Sequence, residues 1–146
     1  MAATVNEKIR QFFADYEKAF EKGIAGKPDV MATVESFAHV FVEASPLGIM
    51  AGTNDNKFRD AIPKGFDFYR KIGTQSMTIE KIDITPIDAY HYQAKIHWRA
   101  QYQQVKLEVD IEFDVIYLLQ YLNNKLEIFA YITGDEQAEL RKHGLI

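Results

Sequence analysis

The stretch from Tyr90 to Thr133 constrains this chain most, because it reads as two β-hairpins in succession. Folding it back between Tyr102 and Val105 pairs Arg99 with Glu108, His97 with Asp110 and Lys95 with Glu112. The alternate positions pair Trp98 with Val109, Ile96 with Ile111 and Ala94 with Phe113. One face is a charge ladder and the other is apolar, as an antiparallel sheet with one buried face requires. A one-residue slip would carry acids onto the apolar face, so that slip is excluded. Asn123-Asn124 suits a type I′ turn into the next strand, because Asn tolerates positive φ. Across it Tyr121 pairs with Leu126, Leu119 with Ile128, Tyr117 with Ala130 and Val115 with Ile132.

The rest of the chain supplies helices. Val5, Ile9, Phe12, Phe13, Tyr16 and Phe20 recur at helical spacing, so Val5 to about Glu21 forms an amphipathic helix ended by Gly23 and Gly26. Pro28 suits the first turn of a second helix, whose apolar face carries Val30, Met31, Val34, Phe37 and Ala38. His39–Ala44 reads as extended, Ser45-Pro46-Leu47-Gly48 as a turn, and Ile49–Gly52 as a short returning strand. Asn54 or Asp55 caps a third helix bearing Phe58, Ile62, Phe66, Tyr69 and Ile72, with Pro63 expected to kink it. Met77–Asp83 alternates as a strand, Thr85-Pro86 reads as a connection, and Gly134-Asp135 opens a short final helix. Segregated helices and strands give an α+β domain with helices on one sheet face, spanning residues 1–146 as one unit.

Composition bounds function. A net charge of −4 without a basic stripe argues against nucleic acid as a partner. Cysteine is absent, which removes disulfides, thiolate metal sites and Cys nucleophiles. No apolar run approaches a membrane span, and the N-terminus does not read as a signal peptide, so a cytoplasmic location is expected. Glu108, Asp110, Glu112 and Asp114 lie at spacing two on one strand. Such a flat row is a solvated charged face rather than a metal site, since hard cations need converging ligands. The four histidines show no ligand spacing, so neither a metal nor a cofactor is expected.

The order of elements carries local motifs: Tyr16-x-x-Ala19-Phe20-x-x-Gly23, then Phe37-Ala38 into Val42-Glu43-Ala44-Ser45-Pro46-Leu47-Gly48, then Gly52-Thr53 opening a helix. With Asn124-Lys125-Leu126 before an aromatic-bearing strand, the whole chain resembles the nuclear transport factor 2-like superfamily. That group includes ketosteroid isomerases and SnoaL-like cyclases. The resemblance implies a cone-shaped, cystatin-like roll: three N-terminal helices packed on a curved antiparallel sheet, with a cavity at the wide end. It also implies an apolar pocket for a small organic molecule, lined by Tyr16, Phe37, Phe66, Trp98 and Tyr117. Ketosteroid isomerases hold an Asp base directly before the Pro, where this chain has Ser45, so steroid isomerisation is not expected. Their oxyanion tyrosine falls on Tyr16, and its protonated Asp partner falls near Tyr117.

Two alternatives stand beside the ligand-binding reading. One is a cofactor-free acid–base enzyme, an isomerase, cyclase or dehydratase, using Tyr16, His39, Tyr117 or Asp114. The other is a non-catalytic association module. Ile116, Leu118, Phe129 and Tyr131 form an apolar patch on the nominal solvent face, which points to a homodimer through the sheet. Tyr16 also reads as a core tyrosine, and His39 as a buried structural histidine.

Overall fold

A computed structural model describes residues 3–146. Its elements are α1 (Val5–Ile24), α2 (Val30–Ser36), β1 (Phe37–Ser45), β2 (Gly48–Thr53), α3 (Asn56–Lys71), β3 (Thr74–Pro86), β4 (His91–Gln104), β5 (Leu107–Leu122), β6 (Lys125–Ile132) and α4 (Glu136–Lys142). The six strands form one sheet in the order β2-β1-β6-β5-β4-β3. Neighbours run antiparallel except β1 and β6, which are parallel. The fold is α+β, with helices packed against one face of a curved sheet.

Local chemistry sets the helix starts. Thr4 accepts from Glu7 N–H, Asp29 from Ala32 N–H, Asp55 from Phe58 N–H and Asp135 from Ala138 N–H. Each of these caps supports a helix by about 1 kcal/mol. Pro28 therefore precedes the cap of α2 instead of entering its first turn. The second helix is also shorter than its apolar spacing suggests, and Phe37 opens β1. The helix α3 continues through Pro63, which removes one backbone donor without ending it. The strand β3 runs on to Pro86, tolerated because β3 is a sheet edge.

The long hairpin keeps the expected faces but not the expected register. Arg99 lies opposite Glu112, His97 opposite Asp114 and Trp98 opposite Phe113, four residues beyond the partners read from sequence. The turn falls between Gln104 and Leu107. An even shift leaves every side chain on its own face, so alternation cannot choose between the two registers. At the second hairpin Asn123 and Asn124 take φ of 53° and 61°, as a type I′ turn needs. Leu119 and Ile128 pair as expected, but a bulge then sets Leu118 opposite Ala130 and Tyr117 opposite Tyr131. The extra residue turns Tyr131 inward, away from the outer patch where sequence placed it.

The core lies between α1 and the inner sheet face. Ile9 and Phe13 of α1 are fully buried, as are Ile96, Leu119 and Ile128 of the sheet. Glu17 on α1 accepts from Ile79 N–H beside a bulge in β3. Gly23 lets α3 approach α1, because a Cβ there would fall inside the Phe66 ring.

Candidate functional site

A cavity of about 390 Å³ opens between the helices and the inner sheet face. Its deep wall is aromatic. Tyr16 and Phe20 come from α1, Phe37 from β1, Trp98 from β4, and Phe113 and Tyr117 from β5. The Tyr16 ring centre lies 6.0 Å from Tyr117, 6.3 Å from Trp98 and 6.4 Å from Phe37. Helical spacing on α1 aims Tyr16 at the sheet, and strand alternation aims Trp98 and Tyr117 back at it.

Two phenols and an indole N–H meet at this wall. Burial pushes the Tyr16 hydroxyl up to about 12, partly offset by hydrogen bonding with Tyr117. Burial pushes Tyr117 well up too, reinforced by Tyr16, while hydrogen bonding with Trp98 acts the other way. Both phenols are therefore protonated donors at neutral pH, set in an apolar wall.

The rim is acidic. Glu43 and Ser45 project from β1, Tyr131 from β6, and Glu136 from the start of α4. Tyr69 on α3 donates to Glu136 at 2.9 Å. Glu136 is solvent-exposed at the rim, yet the protein atoms crowded around it strip enough water to raise its carboxyl above its ordinary value; hydrogen bonding from Tyr69 opposes this and repulsion from Glu43 adds to it. Burial also raises Tyr131, with Glu43 pushing the same way. Ser45 Oγ accepts from Leu47 N–H at 3.1 Å. Leu47 itself is 78% exposed, which marks the mouth of the cavity. Among the described residues no group of three or more His, Asp or Glu is placed to hold a metal ion.

The structure brings together Tyr16, Phe37, Trp98 and Tyr117 of the residues proposed from sequence. Phe66 instead lies between α1 and α3, 5.2 Å from Phe20 and off the cavity wall. His39 is solvent-exposed, contrary to its reading as a buried histidine, and its carbonyl accepts from Asn54 N–H. Asp114 faces the opposite side of the sheet, 2.7 Å from His97 and 3.8 Å from Lys95. Sequence reasoning missed Glu43, Tyr69 and Glu136. Glu43 was within reach, since it is two residues from buried Phe41 and so shares its inward face. Glu136 had no such signal, because the packing of α4 decides where it points.

This geometry sits on a known architecture. The sequence model of the family described as NTF2-like protein (DUF6841) matches residues 6–136. The chain belongs to that family. No curated protein matches the sequence significantly. Among solved structures it is similar to an NTF2-like protein of unknown function from Shewanella oneidensis MR-1, at 14% identity and a TM-score of 0.64, covering 90% of this chain and 100% of that one. An NTF2-like protein with a cystatin-like fold from Novosphingobium aromaticivorans matches at 14% identity and 0.65, covering 97% and 88%. A ketosteroid isomerase-like protein from Erwinia carotovora atroseptica matches at 13% and 0.60, covering 86% and 92%. At these identities the likeness establishes the NTF2-like fold.

Proposed function

We propose that this NTF2-like protein binds a small organic molecule in its cavity. The observation that carries this reading is the cavity itself, about 390 Å³ of space with one buried phenol, Tyr117, and one half-buried phenol, Tyr16, set in an aromatic wall. That volume and that mixture of apolar surface with a few fixed donors suit a small-molecule pocket. A ligand hydroxyl or carbonyl would accept from Tyr16 or Tyr117 while its rings lie against Trp98 and Phe37. Removing one neutral donor costs about 0.5–1.5 kcal/mol, so Tyr16→Phe should weaken binding about 2- to 13-fold. A fragment screen by thermal shift, followed by titration of the hits on Tyr16→Phe, tests this. Hits whose affinity ignores both Tyr16→Phe and Tyr117→Phe would contradict it.

A second reading is favoured by Glu136. A carboxyl raised by partial loss of hydration, held by Tyr69 and sharing the cavity rim with Glu43, is the kind of group that performs acid–base chemistry without a cofactor. In that case Glu136 and Glu43 carry the proton transfer, and His39 and Asp114 lie too far round the fold to take part.

The outer sheet face is proposed to pair with a second copy of the chain. Ile116, Leu118 and Phe129 remain on that face, where Val42 and Ala44 of β1 extend the apolar surface beside Ala130 and Ile132. The adjoining ladder carries both signs, Lys95 and Arg99 with Asp110 and Asp114, so it can complement a copy of itself. Leu118→Glu with Phe129→Glu should yield monomers in sedimentation, whereas a wild-type monomer at micromolar concentration would end this proposal.

A further inference from the structure

Among the described residues, the charged side chains on the cavity wall are Glu43, Asp135 and Glu136, and no Lys, Arg or His lines it. Asp135 is already engaged, since its carboxylate accepts from Ala138 N–H at 3.0 Å as the cap of α4. Glu43 and Glu136 are different. Neither forms an ion pair among the described residues. Their polar neighbours are phenols, Tyr131 beside Glu43 and Tyr69 on Glu136. A phenol orients a carboxylate but leaves its charge in place. On the outer face, by contrast, Asp110 and Asp114 both have cationic partners.

Two carboxylates from separate elements thus line the rim of one aromatic cavity whose wall carries no cationic side chain. Like charges held together are unfavourable until a cation arrives. The π faces of Phe20, Trp98 and Tyr16 attract a cation as well. We propose that the cavity selects a protonated amine with a flat apolar body, its ring against Trp98 and Tyr117 and its ammonium between Glu43 and Glu136. This rests on the cavity being a small-molecule site. An ammonium brings three donors and no acceptor, enough to serve both carboxylates and the Ser45 hydroxyl. An anionic compound of the same shape meets acids without a compensating cation and is rejected.

The test uses three compounds that share an indole ring: tryptamine (cationic), tryptophol (neutral) and indole-3-acetate (anionic). Each is titrated calorimetrically into the wild-type protein and into Glu43→Gln, Glu136→Gln and the double variant. Tryptamine should bind tightest and indole-3-acetate weakest. The double variant should lose about tenfold or more of the tryptamine affinity, the size of a charge-assisted hydrogen bond, while tryptophol changes far less. The ranking on the wild-type protein decides the matter even if a variant fails to fold. Tryptophol or indole-3-acetate binding as tightly as tryptamine would overturn the selection for amines and leave the pocket standing. No binding by any of the three would overturn the selection for amines, while the pocket reading is decided separately by the fragment screen.

Discussion

Replacing Gly23 by alanine separates two opposing effects that the structure places at one atom. Gly23 lies in α1 without a positive φ, so alanine there gains about 0.5–1 kcal/mol from backbone entropy alone. Against this, the new methyl lands within the Phe66 ring. That ring is 6% exposed and held at 5.2 Å by Phe20, so it has little room to retreat. Overpacking of this kind costs about 1–3 kcal/mol. Pushing α3 away also strains the hydrogen bond from Arg70 Nη1 to the Gly23 carbonyl. Gly23→Ala should therefore destabilise the protein by a net of about 0–2.5 kcal/mol, centred near 1 kcal/mol. Phe66→Leu removes the outer ring atoms, and in that background Gly23→Ala should become stabilising, by about 0.5 kcal/mol. Urea unfolding of the four proteins gives the coupling, provided the slopes agree. A stabilising Gly23→Ala in the wild type, or the same loss in both backgrounds, would refute the claim that this contact sets the α1–α3 spacing.

The ladder should be pH-sensitive through His97. Hydrogen bonding to Asp114 and then to Glu112 raises its pKa above 6.5, so its stabilisation is complete below 6.5 and lost as pH rises through the raised folded value. His97→Gln should abolish that decline in unfolding midpoint, and an identical pH profile in the variant would count against it. At the second hairpin, Asn123→Val should cost about 1–2 kcal/mol, because a β-branched residue strains at the observed φ of 53°. An unchanged melting temperature would place the turn elsewhere.

What the sequence made legible follows from periodicity. The long helices α1 and α3, the hairpin faces and the cap at Asp55 are local signals, and each falls close to where the residues place it, whereas α2 stops short of Phe37 and Ala38. The register of the long hairpin was not legible because acids recur at every second position from Glu108 to Asp114. Moving the partners of Arg99 and His97 by four residues still sets base against acid. Only turn chemistry could decide, and neither candidate turn carries a Gly or Asn. The bulge beyond Leu119 was invisible for a related reason: one unpaired residue leaves no compositional trace, yet it sends Tyr131 from the outer patch to the cavity. The deep wall was readable from Tyr16, Trp98 and Tyr117, whose directions follow from helix and strand spacing. The acidic rim was readable only on the Glu43 side, since Glu136 is brought to the same cavity through the packing of α4.

Trp98 is the single tryptophan, and it lies on the cavity wall, so its indole N–H gives one unambiguous resonance that reports on the site. The most direct test of a ligand-binding cavity is to follow that cross-peak while fragments that raise the melting temperature are added to isotope-labelled protein. Binders should shift Trp98 Nε1–H in a saturable way while the side-chain Arg99 Nε–H, which donates to Asp110 on the outer face, stays fixed. Binders that leave the Trp98 signal unmoved and perturb only the outer face would contradict the account.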